Sequence, residues 1–183
     1  RMVAWEMADQ LALDLVGQRL VTDQLTLTVG YDIDNLRDPD RKKQYQGAVT
    51  TDRYGRQIPK HAHGTANLEE YTDSAKRITA AALELFDRVV NQNLLVRRLY
   101  LTANRVAEES SVSAAPAMEQ LDLFTDAEAA QAEKAALARE KKLQETMLGI
   151  KSKFGKNAIL KGTNLVDGAT AADRNRRIGE HKA

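Results

Sequence analysis

The run Gln24-Leu25-Thr26-Leu27-Thr28-Val29-Gly30-Tyr31 alternates apolar and polar side chains almost without a break. A side-chain period of two is the signature of a β-strand, and strict alternation marks a strand with one buried and one open face. Leu25, Leu27, Val29 and Tyr31 face a core, and Gln24, Thr26 and Thr28 face outward. A strand of this kind belongs to a sheet covered on one side only. Leu95 to Arg105 repeats the pattern, with Leu99, Leu101 and Ala103 pointing one way and Arg98, Tyr100, Thr102 and Asn104 the other. Between these two runs lie Gly47, Asp52, Gly55, Pro59 and Gly64, which read as a hairpin turning near residues 53–56 and a weaker strand over about 60–67. Residues 32–45 read as a polar loop.

Two helices can cover such a sheet. Val3, Met7, Leu11 and Leu15 recur every four residues, with Ala4, Ala8 and Ala12 beside them, so a helix is expected over about 3–19. Trp5 lies off that stripe and is expected at an edge. Thr72 or Asp73 can cap a second helix, whose face is Ala75, Ile78, Ala82, Leu85 and Val89 with Phe86 adjacent, ending near residues 91–93. The expected fold is α+β: an antiparallel sheet of three to four strands with two helices on one face, followed by a linker, a long helix and a basic tail. The boundaries fall at 1–107, 108–124, 125–155 and 156–183. The open sheet face carries Thr26, Thr28, Arg98, Thr102 and Asn104, a polar, lightly basic docking surface.

Charged residues make up 29% of the 183 and aromatics 5%, so part of the chain is expected outside the core. The net charge of +1 hides segregation: residues 37–60 carry seven basic and three acidic side chains, and 151–183 carry eight and three. Patches of one sign, rather than the net value, decide polyanion binding. The absence of cysteine excludes disulfides and thiolate zinc sites. No apolar run approaches the ~20 residues that span a bilayer, and no signal peptide is present, so no membrane partner and a cytoplasmic location are expected. A first residue of Arg1 suggests a piece of a longer protein.

His61 and His63 would share one strand face, as metal ligands do, but no third ligand lies nearby in sequence. Exposed strand histidines, or contacts to phosphate or sugar, are the other readings. Asp38/Asp40 and Glu69/Glu70 sit in loops rather than on rigid elements around a concave site. There is no glycine-rich phosphate loop, serine elbow or Cys/His pair, so no catalytic and no metal residues are expected. Arg37, Arg41, Lys42, Lys43, Arg53, Arg56, Lys60, Arg97 and Arg98 collect on the loop, the hairpin and the last strand. A phosphate-neutralising groove and an ordinary solvated surface account for them equally well.

Seven acidic and no basic residues fall between Glu108 and Glu133. Inside that acidic connector lies Gln120-Leu121-Asp122-Leu123-Phe124, an apolar run with no evident home in a core. It reads either as a chance patch with a helix staple, Phe124 ahead of the Thr125/Glu128 capping box, or as a linear motif. In the second reading Gln120 offers hydrogen bonds, and Leu123 and Phe124 are anchors for a partner's groove. The helix that follows is rich in Ala, Glu and Lys, ends at a Gly155 cap, and has so few apolar positions that it is expected to project into solvent.

Gln120, Leu121, Asp122, Leu123 and Phe124 resemble the motif by which bacterial proteins bind the sliding clamp. The residues before them resemble the little finger of Y-family translesion DNA polymerases, on a Firmicutes-type branch related to polymerase IV and the SOS mutagenesis polymerase. Thr51-Asp52-Arg53-Tyr54-Gly55-Arg56, Pro59-Lys60-His61-Ala62-His63-Gly64-Thr65, Phe154 to Gly162 and Ala172-Asp173-Arg174-Asn175 carry that likeness. The resemblance implies a part in DNA damage tolerance, as a non-catalytic C-terminal piece of a DNA-directed DNA polymerase. The sheet face would lie on primed duplex DNA, with Arg53, Lys60, His61, His63, Arg97 and Arg98 as contacts. The clamp motif would act as a tether. The metal-binding carboxylates of nucleotidyl transfer belong to a palm that these residues lack. The parent would need Mg2+, and this piece would need no cofactor. The family's first strand is also missing before the first helix. That sheet position is left empty, filled by the 46–54 hairpin, or filled by a neighbouring chain, and an exposed edge is a route to self-association. The alternative is a protein–protein adaptor indifferent to DNA.

Overall fold

A computed structural model describes residues 1–113, 127–178 and 181–182. In chain order the elements are α1 (Met2–Gln18), β1 (Leu20–Tyr31), α2 (Asp34–Arg37), α3 (Pro39–Gln44), β2 (Val49–Thr51), β3 (Gln57–Pro59), β4 (Ala62–Thr72), α4 (Ala75–Val89), β5 (Val96–Asn104), β6 (Ala107–Glu108), α5 (Glu109–Ser113), α6 (Ala127–Phe154), a short 3-10 helix (Gly162–Leu165), α7 (Ala171–Asn175), β7 (Arg177–Ile178) and β8 (His181–Lys182). The polar stretch 32–45 is therefore not a loop. Asp38 caps α3 by accepting from the Asp40 and Arg41 amides, and Pro39 at the first helical position fits the fixed φ of proline.

The fold is α+β, as expected. β1 is the central strand, antiparallel to β4 on one side and β5 on the other, and β6 pairs with its start. Leu25, Leu27 and Val29 are fully buried. They pack with Leu85, Phe86 and Val90 in one cluster and with Ala75, Ile78 and Ala82 in the other. At each of these apolar positions burial contributes about 25 cal/mol per Å2 of surface removed from water. β2 and β3 pair only with each other, so the hairpin does not fill a place in the main sheet. Among the described residues, no further strand pairs with the outer edges of β4 and β5.

Gly64 sets the distance between sheet and helix. A Cβ there would lie 2.8 Å from Val89 Cγ1 and 3.0 Å from Leu85 Cδ1, so its hydrogen lets α4 close on β4. The cap of α4 is Ser74, one residue beyond the two expected. Its hydroxyl accepts from the Arg77 amide, and Thr72 Oγ1 accepts from the Ser74 amide.

α1 differs from a one-sided amphipathic helix. The small line Ala4, Ala8 and Ala12 is the fully buried one, and Val3, Met7 and Leu11 are only half-buried. A second face is also covered, burying Glu6, Asp9, Leu13 and Val16. The cover comes from the C-terminal third. α6 does not project into solvent. Met147 and Gln144 are buried, Gln144 Nε2 donates to the Asp73 carbonyl, and Glu140 accepts from Ser74 Oγ and the Lys76 amide. Lys141 bridges Asp73 and Glu109. Gly155, at φ +98°, ends α6 in the left-handed conformation that glycine adopts without penalty.

The tail then returns to α1. Glu6 accepts from the Thr170 amide (3.0 Å), the Thr170 hydroxyl (3.0 Å), the Ala171 amide (3.0 Å) and Arg174 Nη2 (3.1 Å), and Lys161 Nζ pairs with Asp9. Burial pushes the Glu6 carboxyl up, but the bonds from Thr170, Ala171 and Asn164 outweigh it and hold the group below the usual range. The tail is thus tied to the first helix through two buried carboxylates.

Candidate nucleic-acid interface

The open face of the sheet is built in rows, because antiparallel register sets residues side by side across three strands. His63, Thr28 and Tyr100 form one row; Thr65, Thr26 and Thr102 the next; Asn67, Gln24 and Asn104 the third. These three rows contain no carboxylate. They are cross-linked by Thr28 Oγ1 and His63 Nδ1 at 2.9 Å, by Gln24 Nε2 donating to Asn67 Oδ1 at 2.8 Å, and by Asn104 Nδ2 donating to Thr26 Oγ1 at 2.5 Å. Tyr100 stands 55% exposed on β5, an outer strand of this face. His61 and His63 are both exposed, their rings edge-on at 6.5 Å. Among the described residues no three of His, Cys, Asp and Glu gather so as to hold a metal ion.

At one end of the face, where β1 finishes and β5 begins, the β2–β3 hairpin adds a wall. The register slips between Gly30, opposite Arg98, and Tyr31, opposite Val96. The extra residue is Arg97. In a regular strand Arg97 and Arg98 would point to opposite faces. A bulge re-aims one of them, and here both line the same concavity. Arg53, Tyr54, Arg56, Asp52 and Ile58 complete its wall, around a volume of about 390 Å3.

The charges in this concavity are arranged unequally. Asp52 accepts from Arg56 Nε at 2.8 Å and Nη2 at 2.7 Å, and from the Tyr54 and Arg56 amides. The side-chain bond from Arg56 lowers the Asp52 carboxyl to about 2 against the opposing effect of burial, and the same bond raises Arg56. That pair fixes the turn, with Gly55 at φ +76°. Arg53, Arg97 and Arg98 have no carboxylate within ion-pair distance among the described residues. The guanidiniums of Arg53 and Arg56 lie 4.6 Å and 4.9 Å from the centre of the Tyr54 ring, and Arg53 also donates to the Tyr54 hydroxyl.

A family model described as the impB/mucB/samB family C-terminal domain matches residues 1–123. The chain belongs to that family. It is the C-terminal domain of a Y-family DNA polymerase, the class that works in translesion synthesis. No curated protein sequence matches the chain.

Of the residues expected to contact DNA in this Y-family domain, Arg53, Arg97 and Arg98 meet in the concavity. His63 lies one outward row from Arg98, and His61 stands beside it. Lys60 is exposed where the hairpin joins β4, with its amide bonded to the Ala48 carbonyl. Gln120 to Phe124, with Thr125, lie outside the described residues. Tyr54 and Tyr100 were missed as site residues, although the alternation of β5 already turned Tyr100 outward. No helix among the described residues is long and apolar enough to cross a membrane.

Proposed function

We propose that this domain grips template–primer duplex DNA with its open sheet face and hairpin concavity, and that Gln120 to Phe124 tether it to the sliding clamp. The observation that carries the grip is the grouping of Arg53, Arg97 and Arg98, with no carboxylate partner among the described residues, beside three polar rows free of acid. Exposed cations on a rigid sheet neutralise phosphates and release counterions without reading sequence. Lys60, His61 and His63 extend the contact along β4. Family membership supports DNA as the partner. Reversing Arg97 and Arg98 to Glu should cut affinity for primed duplex about a hundredfold while leaving the fold intact by circular dichroism. Unchanged affinity would remove the sheet face from the account.

The tether rests on the motif and on what flanks it. Ser113 ends an element joined to the sheet, and α6 is docked on Asp73, Ser74 and Glu109, so residues 114–126 link two anchored points of one body. A motif held there gains local concentration on a clamp-bearing duplex without new DNA contacts. Leu123→Ala with Phe124→Ala should abolish clamp binding and leave duplex affinity unchanged. The matched strings also favour a cytoplasmic parent on the Firmicutes-type branch, carrying its Mg2+ site elsewhere. The edges of β4 and β5, unpaired among the described residues, favour strand addition by a neighbouring chain, which a concentration-dependent sedimentation coefficient would reveal.

A further inference from the structure

The hairpin concavity differs in chemistry from the sheet face beside it. Phosphate contact needs cations only, and a flat face supplies it. Here a phenol ring, 64% exposed, projects into a hollow of about 390 Å3 ringed by arginines. That volume falls in the range of small-ligand sites, roughly 300–1,000 Å3. An exposed aromatic beside Arg53, Arg97 and Arg98, which have no carboxylate partner among the described residues, matches a molecule with both a flat π-surface and a negative charge. We infer that the Tyr54 concavity takes an unpaired nucleotide of a single-stranded overhang, its base stacked on Tyr54 and its phosphate held by Arg97 and Arg98.

Three details favour a nucleotide over a bare phosphate or an acidic side chain. Only one of the two guanidiniums over the ring is pinned: Arg56 is fixed twice by Asp52, whereas Arg53 has no carboxylate partner among the described residues. A base can therefore take the place of Arg53 against the ring and keep Arg53 as a stacking or phosphate-binding neighbour. The β5 bulge puts two adjacent arginines on one side of the hollow, so successive phosphates of a strand can each find a cation. Asp52 is already saturated by Arg56 and the turn amides, so it repels an incoming anion less than a free carboxylate would. Stacking on an aromatic tolerates any base, as a site reading no sequence requires.

The inference rests on the duplex-grip reading, and the test separates the two. Fluorescence anisotropy would compare a blunt duplex, the same duplex with a single-stranded overhang, and that overhang made abasic, which keeps every phosphate and removes the bases. The expected result is binding about tenfold tighter to the base-bearing overhang than to the blunt duplex, the scale of one base–aromatic stack. The abasic overhang and Tyr54→Ala should each remove that gain. Tyr54→Phe should keep it. Equal binding of the abasic and base-bearing overhangs would reduce the site to phosphate capture and overturn the proposal, as would a gain that survives Tyr54→Ala. Blunt-duplex binding that responds to Arg98→Glu while no overhang preference exists would sink the pocket and leave the grip standing. Absence of binding to any of the three DNAs would sink both.

Discussion

On the helix side of the molecule, Glu6 and Asp9 are buried and held by Thr170, Ala171, Arg174 and Lys161 of the same chain. On the open side, Arg53, Arg97 and Arg98 are exposed and meet no carboxylate among the described residues. The contrast follows from desolvation. A charge taken out of water costs several kcal/mol unless it is paired and hydrogen-bonded, so the chain must bring its own partners to α1. An exposed cation keeps its water, can stand alone at little cost, and is left for an outside anion. Charge on the first surface holds the fold, and charge on the second is the charge we propose for ligand binding.

If that contrast is right, single substitutions should separate stability from binding. The largest effect is expected for Glu6→Ala, which leaves the Thr170 and Ala171 amides and Arg174 without their acceptor. A loss of about 3 kcal/mol is expected in urea titrations, with DNA affinity unchanged at temperatures where the variant is folded. Gly64→Ala forces a methyl into Val89 and Leu85 and should cost ~2 kcal/mol, again without touching the open face. Ser74→Ala removes the α4 cap and the bond to Glu140, for about 1 kcal/mol.

Acid sharpens the same comparison. The folded Glu6 carboxyl titrates below its ordinary value, so its contribution is present above the ordinary carboxylate range and is lost as pH falls through the folded value. Thermal stability should decline on acidification, and Glu6→Gln should flatten that decline. A mutant that kept the full acid dependence would move the tail's anchor to another group.

The sheet was legible because its signal is local. Alternation in Gln24 to Tyr31 and in Arg98 to Asn104 separated core-facing from open side chains, and the α4 stripe stood where its spacing put it. What failed was non-local. The low apolar content of α6 suggested a free helix, yet it docks through Met147, Gln144, Glu140 and Lys141, whose polar partners Asp73 and Ser74 lie some seventy positions earlier. Nothing local marked Glu6, because Thr170 and Ala171, which bind its carboxylate, lie more than 160 positions away. At the open face, charge alone listed arginines without grouping them. The bulge that puts Arg97 beside Arg98 depends on the register between two strands, which no single segment encodes. Tyr54 went unmarked because one aromatic in a turn carries no pattern until the arginines beside it are placed.

The central claim, that the unpaired arginines meet DNA phosphates, is tested most directly by salt. The logarithm of the affinity for primed duplex should fall linearly with the logarithm of salt concentration, at about 0.9 per phosphate neutralised. Replacing Arg53, Arg97 and Arg98 together by Ala should lower that slope by about 2.7, three contacts at that value. A triple variant with the wild-type slope would contradict the account, because the three cations would then release no counterions.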